Sequence, residues 1–293
     1  MKIVVVGSRG QVGHDLLRVL PPLGDIISLS RSELDLTQLA QITPVIQGYC
    51  PTVVINAAAY TAVDRAQTEH ELANQINHLA AAKLASAAYG CGAAFIHLST
   101  DYVFNGYKNT PYEETDPTNP LSIYGQTKLQ GEVAVQQAHP QSVVVRTAWV
   151  YGTAPQSNNF IKTMLRLGTE QDLIKVVVDQ IGSPTWSYDI ATVIYDLIPL
   201  MLAGTTGIYH CTSTGVASWF DVAMTIFDEA QSMGLLHHPP QILPIPTASY
   251  PRPAPRPAYS VLSTTKLSQL LQRPLPYWRH SVRKMVNQLL VTL

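Results

Sequence analysis

A short apolar run that leads directly into closely spaced glycines most constrains how this chain can fold. The run Lys2–Val6 is β-branched, as expected of a strand buried on both faces of a parallel sheet. Gly7, Gly10 and Gly13 follow, and then an amphipathic segment that ends at Pro21. This order predicts a dinucleotide site, because glycines let the backbone approach a pyrophosphate at a helix N-terminus. A purely structural turn is the competing interpretation, since the spacing differs from G-x-G-x-x-G.

Further apolar runs continue the pattern along the first half of the chain. We expect strands at residues 25–29, 52–55, 93–98 and 142–145, with a long alanine-rich helix at 71–89 between two of them. Regular alternation of short apolar strands with helices predicts an α/β fold built on a doubly wound, Rossmann-like parallel sheet. In such sheets, ligands bind at the carboxyl ends of the strands.

The alternation is lost after residue 150. We expect a helix from residue 158, a strand at 175–178, one amphipathic helix at 220–230 and an ordered proline-rich loop at 251–257. The sequence therefore predicts a dinucleotide-binding domain at 1–150. Residues 151–293 would form mainly a smaller α/β substrate lobe, with some segments returning to the sheet. The polar segment 105–120 is expected to cross the mouth of the site.

Three side chains are candidates for acid–base chemistry. Tyr124 and Lys128 are four residues apart and would share one helix face, and Thr100 follows the fourth predicted strand. A phenol ionises near pH ~10 in water, and a nearby ammonium would lower that pKa, so that Tyr124 could exchange a proton. The competing interpretation is an ordinary Tyr and Lys on a surface helix.

The residues after the second predicted strand bear on cofactor choice. An NAD site usually has a carboxylate there to bind the ribose 2′-hydroxyl, whereas this chain has Ser30 and Arg31. A hydroxyl and a guanidinium can bind a 2′-phosphate, so NADPH is permitted, with NADH as the alternative. A solvated loop arginine would explain Arg31 almost equally well.

Composition excludes several classes of protein. A net charge of -1 with no basic stripe argues against nucleic acid as a partner. Cys50, Cys91 and Cys211 are widely separated, which fits a reducing compartment rather than a disulfide scaffold or zinc site. No segment is apolar for long enough to span a membrane. We expect a soluble, cytoplasmic protein.

A set of motifs along almost the whole chain resembles one enzyme family. The glycine turn and the Tyr124/Lys128 pair resemble the short-chain dehydrogenase/reductases of the extended type. The other motifs are similar to those of dTDP-4-dehydrorhamnose reductases within that superfamily. These are Asn56-Ala57-Ala58-Ala59-Tyr60-Thr61-Ala62-Val63-Asp64, Ser99-Thr100-Asp101-Tyr102-Val103-Phe104, Arg146-Thr147-Ala148-Trp149-Val150-Tyr151, Asn158-Asn159-Phe160, Asp179-Gln180-x-Gly182-x-Pro184-Thr185 and Arg256-Pro257.

The resemblance implies a reaction and a role for each matching residue. The reaction is reduction of the C4 keto group of dTDP-4-dehydro-L-rhamnose by NADPH. Tyr124 would protonate the carbonyl oxygen, Thr100 would hydrogen-bond to it, and Lys128 would hold the nicotinamide ribose. The cofactor would contact Gly7, Gly10, Gln11, Val12, Gly13, Arg31, Asp35, Leu36, Ala57, Ala58, Ala59, Tyr124 and Lys128. The nucleotide sugar would contact Thr100, Asp101, Val103, Tyr124 and Trp149.

Magnesium and a homodimer stay open at this point. Some members of the family bind Mg²⁺ through acidic side chains at a dimer contact. Asp15 matches one such ligand, but residues 289–293 contain no acid.

Three other functions compete with this one. Nucleotide-sugar 4,6-dehydratases commonly have a glutamate where this chain has Tyr102, so water elimination would lack an obvious base. The regulatory subunit of methionine adenosyltransferase has the same fold and binds NADP without catalysing a reduction. Another nucleotide-sugar reductase or epimerase is the third. Retention of Thr100, Tyr124 and Lys128 favours an enzyme over the regulatory subunit.

Overall fold

A six-stranded parallel sheet lies at the centre of the structure, a computed structural model that describes residues 1–292. The strands of the chain are β1 Lys2–Val6, β2 Asp25–Leu29, β3 Val53–Asn56, β4 Ala94–Thr100, β5 Val143–Thr147, β6 Val150–Tyr151, β7 Leu173–Val177, β8 Ile181–Gly182, β9 Thr185–Trp186, β10 Gly207–His210, β11 Ala217–Ser218 and β12 Gln241–Ile245. The central sheet has the order β10-β5-β4-β3-β1-β2, with Val4 opposite both Ile27 and Val54. The predicted doubly wound parallel sheet is therefore confirmed. Its strand order reverses at β1, where open α/β sheets form a ligand crevice.

Helices cover both faces of this sheet. They are α1 Gln11–Val19, α2 Leu39–Tyr49, α3 Val63–Ala66, α4 His70–Asn74, α5 Ala80–Gly90, α6 Ile123–Ala138, α7 Phe160–Glu170, α8 Ser187–Leu202, α9 Trp219–Ser232, α10 Thr265–Leu271 and α11 Trp278–Thr292. On one face, α1, α8 and α10 contribute Leu16, Ile194 and Leu267 to a core cluster. On the other, α2, α5 and α6 contribute Ile42, Leu84 and Val135. Because both faces are covered, the inner strands β1, β3, β4 and β5 are almost entirely buried and consist mainly of apolar residues, whereas the edge strand β2 is partly exposed.

A separate core cluster forms from the later part of the chain. It joins α7, α9 and α11 around Ile161, Phe227 and Met285, beside three two-stranded pairings: β6 with β9, β8 with β11, and β7 with β12. Meanwhile β10 pairs with β5, and α8 and α10 pack on the central sheet. The division at residue 150 stays a prediction.

The second half contains more helix than the sequence pattern predicted. Three helices, rather than one, follow residue 204, and the apolar segment 190–202 belongs to the 16-residue helix α8. The last helix, α11, buries Val282, Met285 and Val286 at helical spacing. Its charged neighbours Arg279 and Arg283 dilute the apolar pattern, which is why it was missed. Among residues 1–292, no helix has both the length and the apolar character needed to cross a bilayer.

The predicted helix at 71–89 is interrupted by a π-helical turn at Gln75–Leu79. There the side chain of Asn77 accepts a hydrogen bond from the Tyr60 amide and donates one to the Thr127 hydroxyl. Gly131 of α6 lies against this turn, where a Cβ atom would stand 2.1 Å from the Asn77 carbonyl oxygen. The π turn thus accommodates close packing of α6, in keeping with the usual place of such turns beside functional elements.

The polar segment 105–120 does not cross the mouth of the site, contrary to the prediction. Its Tyr112 pairs with Leu262, and its Glu114 accepts a hydrogen bond from the amide of His210 at the end of β10. It therefore covers the outer edge of the sheet. The proline-rich segment 251–257 is ordered as expected, and Arg256 forms two hydrogen bonds with the Asp64 carboxylate, at 2.9 and 3.0 Å.

Candidate active site

A cavity of about 1020 Å³ lies at the carboxyl edge of the central sheet. Most of the predicted site residues line it: Gly7, Gly10, Gln11, Val12, Arg31, Asp35, Leu36, Ala57, Ala58, Ala59, Thr100, Asp101, Tyr124, Lys128 and Trp149. They come from the ends of β1, β3, β4 and β5, from the loop after β2 and from the first turns of α1 and α6. Parallel strands bring these separated segments to one edge, as the fold prediction required.

The glycine turn has little room for side chains. Gly7 has a φ angle of 81°, and a Cβ there would lie 2.6 Å from the Ala58 nitrogen. Gly13 does not line the cavity, and its Cβ would lie 2.2 Å from the Gly7 carbonyl oxygen, so its role is close packing of helix on turn. No side chain caps the first amides of α1, which begins after Gly10. Free amides at a helix N-terminus fit a pyrophosphate.

The loop after β2 contains a carboxylate that the sequence analysis did not single out. Glu33 accepts hydrogen bonds from the Ser30 amide at 2.8 Å, from the Ser30 hydroxyl and from the Ser32 hydroxyl at 2.9 Å. The Ser30 hydroxyl is the main cause that lowers the pKa of Glu33 to about 2. Arg31 is 80% exposed, with its Nε 3.7 Å from Asp35. Glu33 also borders a recess of about 410 Å³ that shares Ser30 with the main cavity.

Thr100 and Tyr124 are brought together by a strand end and a helix start. Thr100 is the last residue of β4, and its hydroxyl donates to the Asp101 carboxylate at 3.0 Å. The Ser122 hydroxyl caps α6 by accepting from the Gly125 amide at 3.2 Å. A Cβ at Gly125 would lie 2.2 Å from the Tyr102 carbonyl oxygen. This glycine therefore lets the first turn of α6, and with it Tyr124, approach the strand end.

The predicted lowering of the Tyr124 pKa by Lys128 is not found. Burial raises the pKa of Tyr124 to about 12, and a hydrogen bond with Thr100 offsets only part of that rise. Lys128 donates instead to the carbonyl oxygen of Leu98 at 2.6 Å, and burial lowers the pKa of its own amine to about 8. Tyr124 is therefore a protonated phenol at neutral pH, the form that can donate a proton.

Trp149 is packed more tightly than a free wall of the cavity would be. Its ring stacks on Trp219 at 3.6 Å between ring centroids and 3° between planes. A Cβ on Gly182 would lie 2.5 Å from the indole of Trp149. Trp219 covers one face of the ring and Gly182 lies against the indole, while Trp149 still lines the cavity. A contact between Trp149 and the sugar therefore stays a prediction. Trp219 also lines the cavity and was not identified from the sequence.

The similarity to known proteins extends over almost the whole chain, including every segment that lines the cavity. The RmlD substrate binding domain family matches residues 1–291. The dTDP-4-dehydrorhamnose reductase of Aggregatibacter actinomycetemcomitans is 41% identical over 287 residues, which is 96% of this chain and 97% of that protein. The chain belongs to the dTDP-4-dehydrorhamnose reductase family. The predicted family is confirmed.

Two solved structures from this reductase family superpose over nearly the full chain. The enzyme from Clostridium acetobutylicum has a TM-score of 0.92 at 38% identity and covers 99% of this chain and 100% of its own. The enzyme from Bacillus anthracis, solved in complex with NADP, has a TM-score of 0.90 at 36% identity, with 98% and 99% coverage. Nearly the whole chain therefore has the architecture of this reductase family, that of the extended short-chain dehydrogenase/reductases.

Val103 does not lie in the reductase cavity, which corrects its assignment as a substrate contact. Thr100 ends the strand, and Asp101–Val103 form a 3₁₀ turn. This turn directs Val103 into a buried cluster with Phe104 and Tyr112. Asp101, in contrast, lines the cavity, and burial raises the pKa of its carboxyl to about 6.

Asp15, the candidate magnesium ligand, lies in the interior of the fold rather than on an exposed surface. Asp15 is fully buried, bonded to the Ser187 hydroxyl and paired with Arg18 at 2.8 Å. Within the described part of the chain, no three His, Cys, Asp or Glu side chains are placed to hold a metal ion. The sequence prediction also involved Leu293, which lies outside the described residues. We derive no step through magnesium.

Proposed function

We propose that the protein reduces the C4 keto group of dTDP-4-dehydro-L-rhamnose to give dTDP-L-rhamnose, with NADPH as cofactor. One observation carries the proposal: a single cavity, beside the glycine turn, is lined by Thr100, Asp101, Tyr124 and Lys128. The full-length relatives named dTDP-4-dehydrorhamnose reductase, and the NADP complex of one of them, support it. Reduction of such a sugar nucleotide belongs to the biosynthesis of cell-surface polysaccharide.

In this proposal the residues around Tyr124 direct the transfer of its phenolic proton to the substrate. The phenol of Tyr124 gives its proton to the carbonyl oxygen. The single proton of the Thr100 hydroxyl turns from Asp101 to that oxygen and orients it by hydrogen bonding. A pKa of about 12 keeps the phenol protonated until charge develops on the substrate oxygen. NADPH, when bound, supplies the hydride that reaches C4. The free amides at the start of α1 and the alanines after β3 would hold its pyrophosphate and ribose.

Asp101 favours a hydroxylated substrate over a simple ketone. One oxygen of its carboxylate accepts from Thr100, and the buried Oδ2 has no partner at full hydrogen-bond geometry, with the Ser260 hydroxyl near enough to the carboxylate to lower its pKa. A buried acceptor without a partner is costly, and a sugar hydroxyl would satisfy it. We therefore infer that Asp101 selects the sugar.

The test is NADPH oxidation by the purified protein with dTDP-4-dehydro-L-rhamnose and no partner protein. We expect substrate-dependent oxidation and formation of dTDP-L-rhamnose. A regulatory subunit related to that of methionine adenosyltransferase would bind NADP and show no turnover. Reduction of free keto sugars or simple ketones at a similar rate would contradict the nucleotide-sugar assignment.

Cofactor preference should change in opposite directions at Arg31 and Glu33. Arg31→Asp places a negative charge beside the expected 2′-phosphate and should weaken NADPH binding about tenfold, with NADH little affected. Glu33→Gln removes a carboxylate held by the Ser30 and Ser32 hydroxyls, so these groups become available to a phosphate. This variant should bind NADPH more tightly.

Calorimetric titration of both variants with NADPH and NADH checks this prediction without catalysis. The ratio of the two dissociation constants is the quantity to compare with that of the unaltered protein. Equal changes for both cofactors would exclude the loop 30–33 as the discriminating element.

Trp149→Phe should raise KM for the sugar nucleotide by roughly two- to tenfold, because the edge of the indole and its stack with Trp219 shape the substrate end of the cavity. KM for NADPH should stay the same. Trp278→Phe is the matched control, since Trp278 is buried in the cluster of α7, α9 and α11 and does not line the cavity. It should lower Tm without changing KM, and an unchanged sugar KM in Trp149→Phe would make Trp149 a packing residue only.

A homodimer and a cytoplasmic location belong to this proposal as predictions. Sedimentation velocity of the purified protein tests the first, and cell fractionation tests the second.

A further inference from the structure

A buried chain of hydrogen bonds connects the cofactor side of β3 to Lys128. The Ala58 amide donates to Asn56 Oδ1 at 3.1 Å, and Asn56 Nδ2 lies 3.1 Å from His97 Nδ1. His97 Nε2 lies 3.4 Å from Lys128 Nζ, which donates to the Leu98 carbonyl oxygen at 2.6 Å. Asn56 and His97 are fully buried, and Lys128 is 2% exposed. Asn56 and His97 are shielded from solvent, so their polar atoms depend on protein partners.

The first link fixes the tautomer of His97. A backbone N–H can only donate, so the amide oxygen of Asn56 must face Ala58 and its NH₂ group must face His97. His97 Nδ1 is then an acceptor and carries no proton. A neutral imidazole with an unprotonated Nδ1 carries its proton on Nε2, which points toward Lys128.

The last contact therefore depends on the charge of Lys128. An ammonium has three N–H donors and no acceptor, so it would meet the His97 Nε2–H as donor against donor. A neutral amine has a lone pair that accepts from His97 while an N–H still donates to Leu98. We propose that His97, oriented by Asn56, is a positioning residue that favours the neutral amine of Lys128 and so sets the pH at which this lysine exchanges its proton.

The other charged groups around Lys128 do not reverse this preference. On its own helix, Tyr124 lies one turn before it as a protonated phenol, and Glu132 lies one turn after it. Glu132 favours the ammonium, but its carboxylate is bound by Arg146 of β5 at 2.7 and 2.9 Å. Burial is the larger influence and lowers the pKa of Lys128 to about 8, while burial and the lysine together keep His97 neutral.

The proton exchange of Lys128 serves the reduction proposed above, and its part in turnover rests on that function. When Tyr124 gives its proton to the substrate oxygen, a phenolate remains beside Asp101. A Lys128 ammonium then loses one proton: its N–H bond breaks, the phenol O–H bond re-forms, and the lysine is left neutral. When Lys128 is neutral, each contact in the hydrogen-bonded series Ala58–Asn56–His97–Lys128 joins a donor to an acceptor. A proton from solvent restores the ammonium for the next turnover.

Asn56→Asp reverses the donor and acceptor roles of the two His97 ring nitrogens and is the first variant to test. A carboxylate accepts from the Ala58 amide and also from His97, so the histidine proton moves to Nδ1 and Nε2 becomes an acceptor. The ammonium of Lys128 then gains a partner, and we expect its titration to move up by about 1–3 pH units. The measurement is an NMR titration of protein labelled with ¹³C at lysine Cε, without cofactor or substrate. The Lys128 signal is assigned by its absence in Lys128→Met.

His97→Phe removes the N–H without adding a charge, so its result decides the proposal even where Asn56→Asp fails to fold. We expect the pH at which Lys128 titrates to rise in this variant, by less than in Asn56→Asp. His139→Gln is the control, because His139 is also a buried histidine but bonds to the Ala93 carbonyl oxygen, just before β4 begins. This control variant should leave the titration of Lys128 unchanged. An unchanged or lower titration of Lys128 in His97→Phe would overturn the proposal.

The titration needs no substrate, so it can succeed or fail independently of the proposed reduction. Where the reduction is confirmed, the pH profile of kcat should move with the Lys128 titration in both variants. A structural role for His97 would lower Tm without moving that profile.

Discussion

Tyr124→Phe should reduce turnover by about 10²–10⁴-fold while cofactor affinity changes by no more than a few-fold. The variant keeps the aromatic ring, which packs edge-on against Tyr102 at 5.7 Å between centroids. Only the phenolic hydroxyl, with its proton, is lost. Since the pKa of Tyr124 is about 12, the phenol is the protonated donor across the neutral pH range, and phenylalanine has no proton to give.

Tyr60→Phe is the matched control for this prediction. Tyr60 also lines the cavity, but its hydroxyl donates to Glu69 at 2.5 Å. Turnover and NADPH binding should be measured in both variants. Near-normal turnover in Tyr124→Phe, or an equal loss in Tyr60→Phe, would remove Tyr124 from the role of acid.

Glu132→Ala should lower the free energy of unfolding by about 3–5 kcal/mol. The carboxylate of Glu132 is 1% exposed and receives three hydrogen bonds from the guanidinium of Arg146. The variant leaves this cation buried, 3.5 Å from His210 Nε2, with no carboxylate to neutralise it. This ion pair joins α6 to β5, so its loss also loosens the helix that carries Tyr124 and Lys128.

Glu170→Ala provides the comparison for chemical denaturation. Its partner Arg166 lies at a similar distance, 2.7 Å, but the two side chains are 48% and 59% exposed. An exposed pair of this kind contributes less than about 1 kcal/mol. Losses of equal size in the two variants would show that burial does not govern the strength of the Glu132 pair.

Local sequence signals predicted the parts of the fold that place the chemistry. The apolar run before Gly7 predicted β1, and the four-residue spacing of Tyr124 and Lys128 predicted the helix that the structure shows as α6. Strand ends located Thr100 and Ala57 at the correct edge of the sheet, because a parallel sheet brings the carboxyl ends of its strands together. These inferences needed only local pattern and the geometry of the fold class.

Other features depend on contacts between residues far apart in the chain, which a local pattern does not record. Trp219 reaches the cavity by stacking on Trp149, 70 positions earlier, and His97 gains its role from Asn56 on the adjacent strand. The pKa of Tyr124 was predicted to fall because spacing places Lys128 nearby, but spacing does not report how deeply a site is buried. Val103 was assigned from the family resemblance of its motif, but a 3₁₀ turn follows β4 and places this side chain in a buried cluster.

Transfer of deuterium tests the central claim most directly. NADPH carrying deuterium at C4 of the nicotinamide is incubated with the protein and dTDP-4-dehydro-L-rhamnose, and the sugar nucleotide is examined by NMR and mass spectrometry. With the deuterium on the transferred face, we predict one deuterium at C4 of dTDP-L-rhamnose for each NADPH oxidised. Oxidation of NADPH with no deuterium in the sugar, or with deuterium at C5 or C6, would contradict the proposed reduction.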